Sequence, residues 1–150
     1  MGIALLGSNN EATRRCSDIL FHISEKSYLT FLKKGTSFAP SIEQCILGVW
    51  EESIKERTLY IYLNPRPEKT IPPYSVWDSE ITEERISTIS IPAIKVGEVK
   101  IVNKKLLDDV KREYYSKRRH KYDKLDSFTV KEHWYQELYK HGTLFDVIWY

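Results

Sequence analysis

The side chains best suited to line a binding cleft are His22, Glu84 and the hydroxyl-bearing residues near them in the sequence. His22 sits in Leu20-Phe21-His22-Ile23-Ser24, near the end of an apolar run. A neutral imidazole donates through one ring nitrogen and accepts through the other, so a strand-end histidine can orient a polar ligand. The plainer alternative is a half-buried strand histidine with its ring already satisfied. Glu83 and Glu84 precede a β-rich stretch. Adjacent carboxylates are ordinarily solvated, but one aimed into a cleft would stabilise a cationic transition state or bind a ribose hydroxyl. Phe38-Ala39-Pro40-Ser41 leads into a helical pattern. Ser41 reads there as a helix cap, and the alternative is a phosphate held on free N–H groups.

The densest positive run is Lys117-Arg118-Arg119-His120-Lys121, with Tyr114, Tyr115 and Tyr122 close by. Lys117, Arg118, Arg119 and Lys121 could grip nucleic-acid phosphates while the rings stack on bases. Glu113, Asp123 and Asp126 flank the run, which equally describes a solvated helix end. The sequence contains no glycine-rich phosphate loop, no paired-histidine zinc motif and no nucleophile elbow, so those hydrolase classes and a metal site are not expected.

The elements that must position these groups follow from periodicity and punctuation. Ile19 to Ile23 reads as a buried strand, and Lys33 to Ser37 as a turn. Ser41 and Gln44 have capping-box spacing, followed by Ile42, Cys45, Ile46, Val49 and Trp50 on one helical face. Thr58 to Leu63 alternates as a strand, with Leu59, Ile61 and Leu63 on one side and Tyr60 and Tyr62 on the other. Four prolines between Asn64 and Asp78 predict an extended surface loop. Ile86–Ile91 and Ile94–Val102 read as strands separated by Pro92, the second with a bulge at Gly97. Leu106, Leu107, Val110 and Tyr114 mark an amphipathic helix. Val130, Trp134 and Leu138 mark another, with a capping-box spacing at Thr129 and Glu132 and a C-terminal glycine at Gly142. The apolar segment from Leu144 to Tyr150 should return as a strand or pack beneath that helix.

These elements predict one α+β domain over 150 residues. Its mixed, mostly antiparallel sheet would have about five or six strands with flanking helices. Residues 1–17 are expected to be a loose lead-in, and 103–150 mainly helical. With 41% hydrophobic and 29% charged residues the composition is globular, and a net charge of +2 does not by itself call for nucleic acid. Cys16 and Cys45 are too few for a disulfide framework, and the N-terminal apolar run lacks the basic flank of a signal peptide. No run approaches the ~20 apolar residues of a membrane helix. A cytoplasmic protein without membrane contact is the expectation.

Three blocks resemble a group of small phage and bacterial proteins of unassigned function. They are Leu20-Phe21-His22-Ile23-Ser24, the segment Phe38 to Cys45, and the stretch from Asp78 to Glu84 continuing to Ile94 through Ile101. That group is similar to a reduced ADP-ribosyltransferase-type fold, and the likeness covers residues 19 to 102. It implies NAD or a related ADP-ribose nucleotide as ligand. His22 would orient it beside Ser24, and Ser37 or Ser41 would line the nicotinamide pocket. Glu84 would hold the ribose as positive charge develops, and Tyr60 or Tyr62 would supply a stacking ring. His22 and Glu84 are thus the catalytic candidates. The group commonly has Gly before its acidic residue and Trp two residues after it, where this chain has Glu83 and Ile86. The implied activity is ADP-ribosyl transfer or NAD hydrolysis. The alternative is a non-catalytic binder that sequesters a nucleotide signal or inhibits a host defence protein, with the proline-rich loop and aromatic C-terminal segment as contact surfaces.

Overall fold

The computed structural model describes residues 19–49, 56–73, 82–120 and 127–150. The expectations for residues 1–17, Trp50, the far half of the proline-rich loop and Lys121 lie outside them. In chain order the elements are β1 (Phe21–Ser24), β2 (Phe31–Leu32), β3 (Ser37–Phe38), α1 (Ile42–Gly48) and β4 (Thr58–Leu63). There follow β5 (Thr70–Ile71), β6 (Arg85–Ser87), β7 (Ile91–Pro92), β8 (Ile94–Ile101), α2 (Lys104–His120), α3 (Ser127–Tyr139) and β9 (Phe145–Trp149).

The central sheet has four strands in the order β1-β4-β8-β9, all antiparallel. Two small sheets accompany it, β2-β7 and β3-β6-β5, in place of the single larger sheet expected from sequence. The reason is local. The segment read as one strand from Ile86 to Ile91 turns at Thr88 and Ile89, where Ser87 Oγ donates to the Ile89 carbonyl at 2.5 Å. Its two ends therefore join different partners: β6 pairs with β3 and β5, and β7 with β2. Pro92 ends β7, where a strand of two residues makes little demand on the N–H it lacks. The proline-rich segment is less irregular than expected. Pro67–Lys69 form a 3-10 turn, and Thr70–Ile71 add a strand to β6.

β4 is the middle of the fold because its alternation serves two cores. Leu59 and Ile61 face the larger one, built with Ile23, Val99 and Ile101 from the sheet and Ile42, Ile46, Leu107, Val110, Tyr114, Val130, Trp134 and Leu138 from the three helices. Tyr62 faces the opposite way into a smaller core with Leu20, Leu32, Phe38 and Ile91. The bulge expected at Gly97 is present: Ile61 pairs with Gly97 but Tyr62 with Lys95, which leaves Val96 as the extra residue.

Helix ends follow their caps with one exception. Ser41 Oγ accepts from the Gln44 backbone N–H at 3.1 Å, as the spacing predicts. Lys111 Nζ and Tyr115 Oη donate to the carbonyls of Val49 and Leu47 and so satisfy the far end of α1. Gly142, at φ +82°, ends the turn after α3. Thr129 is not the cap expected of it, since it already lies within α3.

Candidate functional site

β1 carries His22 and Ser24 on the sheet face opposite the helices, because their neighbours Phe21 and Ile23 pack into the helix-side core. Register extends this face across the sheet: His22 pairs with Tyr62, Ser24 with Tyr60, and Tyr60 in turn with Glu98. Four residues singled out in the sequence, His22, Ser24, Tyr60 and Tyr62, therefore share one face.

β3 reaches this face through a bridge. Phe21 and Ala39 exchange backbone hydrogen bonds of 2.8 and 2.9 Å. This draws the Ser37–Phe38 strand alongside β1, where the Phe38 ring meets the His22 ring edge-on at 5.9 Å. His22 Nδ1 lies 2.9 Å from the Ser37 carbonyl oxygen. A carbonyl only accepts, so Nδ1 carries the proton and, in the neutral ring, Nε2 is left as an acceptor. Burial lowers the His22 pKa from its ordinary 6.5, against the smaller opposing effect of the Ser37 carbonyl, and so favours that neutral ring.

β3 also pairs with β6, Ser37 opposite Ile86, and this brings the residues just before β6 to the same place. The Ser37 hydroxyl donates a short hydrogen bond to Glu84 Oε2. His22 and Glu84, far apart in sequence, thus meet on one residue: the histidine holds the backbone of Ser37 and the carboxylate its side chain. Beside them Glu83 adopts φ +53°, the left-handed region rarely taken by a residue with a side chain. Its Oε2 accepts from Gln44 Nε2 at 2.8 Å and from Lys131 Nζ at 2.7 Å. Gln44 in turn accepts from Ser41 Oγ at 2.8 Å. Because the single Ser41 proton is used there, the 2.8 Å contact between Ser41 and Tyr135 has the tyrosine donating.

The remaining candidates divide. Of the two serines proposed for the second position, Ser37 stands between His22 and Glu84, whereas the Ser41 oxygen is committed to the helix cap and Tyr135. Ser24 Oγ accepts from the Lys26 N–H at 3.1 Å and closes the turn after β1. Tyr62 is 1% exposed and its hydroxyl donates to the Lys26 carbonyl at 2.9 Å, so its ring has no face free for stacking. Tyr60 is partly buried, with the Lys95 ammonium 5.1 Å from its ring centre. Lys117 is paired with Glu137 at 2.7 Å and Glu113 at 3.0 Å, which raise its pKa.

Nothing in the sequence marks Lys131 and Tyr135 as site residues, and Gln44 reads there only as a cap partner. Lys131 and Tyr135 lie one turn apart on α3, beside its buried stripe, and that spacing was visible. What they touch, residues more than 40 positions away, was not. No group of three or more His, Cys, Asp or Glu residues suited to a metal ion occurs among the described residues, and no helix among them is long and apolar enough to cross a membrane. Cys45 is buried, and its thiol is pushed up to about 12 by that burial, which makes it a poor nucleophile. Comparisons of this chain with protein-family models, with curated proteins and with solved structures find no significant match.

Proposed function

We propose that the face around His22, Ser37 and Glu84 binds NAD or a related ADP-ribose nucleotide and cleaves its nicotinamide–ribose bond, passing ADP-ribose to water or to a macromolecular acceptor. The observation that carries this reading is the convergence of His22 and Glu84 on Ser37. A second point agrees with the resemblance: the residue before the acidic one, Gly in the similar group, here adopts a conformation that favours glycine.

The chemistry follows from the groups present. His22, neutral and held by the Ser37 carbonyl, offers Nε2 as acceptor to a ribose hydroxyl and fixes the sugar. As the bond from C1′ to the nicotinamide nitrogen breaks, its electron pair leaves with the nitrogen and cancels the charge of the pyridinium. Positive charge grows on C1′ and the ring oxygen, and the Glu84 carboxylate, oriented by Ser37, stabilises it. Water or an acceptor hydroxyl, amine or carboxylate then supplies a lone pair to C1′, and a nucleophile bearing a proton releases it to solvent. No cofactor beyond the nucleotide itself is needed.

A proton NMR time course of NAD with the protein tests the reading. Free nicotinamide should accumulate, and Glu84→Gln should slow its release by about 10²–10³-fold, the usual cost of losing one transition-state contact of this kind. NAD resonances that stay sharp and unchanged would refute it. Broadened resonances without product would instead indicate a non-catalytic nucleotide binder. That second reading has its own support in β9, an outer strand of the central sheet on which Ile148, Trp149 and the adjoining Tyr150 are 45%, 53% and 65% exposed, as contact residues for a protein partner would be.

A further inference from the structure

Glu83 is the one non-glycine residue with positive φ among those described. The left-handed conformation is unfavourable for a residue with a Cβ, so something must hold it there. Two donors from two different helices do so, and both reach the same oxygen: Gln44 Nε2 from α1 at 2.8 Å and Lys131 Nζ from α3 at 2.7 Å. Gln44 is itself 3% exposed and fixed at its other end by Ser41, which Tyr135 of α3 also holds. The clamp is therefore anchored in the helix layer, while the very next residue, Glu84, extends to Ser37 in the strand layer.

We infer that Glu83 is a positioning residue: its clamp between α1 and α3 holds the left-handed turn that aims the Glu84 carboxylate at Ser37. The catalytic consequence rests on the nucleotide reading of the site, whereas the clamp itself does not. The ion pair is too open to matter much for the fold, since the Glu83 and Lys131 side chains are 44% and 24% exposed. Its effect is on aim. Misplacing a catalytic group by about 1 Å lowers turnover without a matching loss of ground-state binding.

Two variants separate anchor from backbone. Glu83→Gly keeps the left-handed turn accessible and removes the anchor, and Lys131→Met removes the cation alone, with Lys131→Arg as the conservative rescue. Two readouts are taken on each: amide hydrogen exchange at Glu84 and Arg85, and kcat and KM for nicotinamide release. Glu83→Gly and Lys131→Met should speed exchange by about two- to fivefold, the range a partly exposed ion pair supplies. They should also lower kcat by about 10- to 100-fold with KM nearly constant. Lys131→Arg should restore both. Unchanged exchange in both variants overturns the inference whatever the turnover, and so does a fall in activity expressed wholly in KM. Faster exchange in a protein that neither binds NAD nor releases nicotinamide leaves the clamp standing and sinks the nucleotide reading instead.

Discussion

His22 shows how one side chain's surroundings set its protonation. Its Nδ1 proton is fixed on the Ser37 carbonyl and burial disfavours the charged ring, so the folded state binds a proton less readily than the unfolded chain. The sign follows from linkage. As pH falls through the ordinary histidine pKa of 6.5, the unfolded state takes up a proton first, and stability is lost from there down to the lowered folded value. Thermal melts at pH 7.5 and 5.5 should therefore show a larger acid-induced drop for the wild type than for His22→Gln; equal drops would mean that His22 does not titrate against folding. His22 and Glu84 stood out through the blocks that carry the resemblance, because a strand histidine and a pair of adjacent carboxylates are by themselves ordinary. Choosing between Ser37 and Ser41 needed the third dimension, as each hydroxyl sits near the same turn and only Glu84, just before β6, and Tyr135 of α3 tell them apart. Tyr62 misled for a related reason. Alternation placed it correctly on the side away from the helices, but that side carries a core of its own.

Elements were most legible where periodicity was long and punctuation strong. Thr58–Leu63 forms β4 over the span read from its alternation, and the Val130, Trp134 and Leu138 stripe is buried as helical spacing requires. Strands of two or three residues, such as β2, β3 and β5, leave no periodic trace, because their pairing is decided by partners distant in sequence. Gly97 is a case where a small signal had a large cause. A Cβ there would lie 2.6 Å from the Ile148 carbonyl oxygen, 3.2 Å from the Trp149 ring and 3.3 Å from Ile61 Cδ1. The first of these contacts is backbone and yields only by moving β9. Gly97→Ala should cost about 1–3 kcal/mol, the usual penalty of overpacking, read as a lower midpoint in urea with an unchanged slope. A midpoint equal to the wild type would show that β9 shifts freely, contrary to its paired register with β8.

At the scale of the whole molecule, the central sheet divides the work between its faces. The helix side supplies the large core, including the fully buried Trp134 whose indole N–H donates to the Glu43 carbonyl at 2.9 Å. The other side carries the smaller core and, along its edge at β1 and β3, the polar convergence of His22, Ser37 and Glu84. The α+β class and antiparallel pairing followed from the order of the elements. The division into three sheets did not, since it depends on a turn at Thr88 that propensity alone does not mark. Whether this edge binds a nucleotide is read by titrating NAD into 15N-labelled protein and following the amide shifts. Nucleotide binding there should give saturable changes at His22, Ser37, Glu83 and Glu84, with β9 left undisturbed. Changes absent throughout, or confined to β9 and its exposed Trp149, would contradict it.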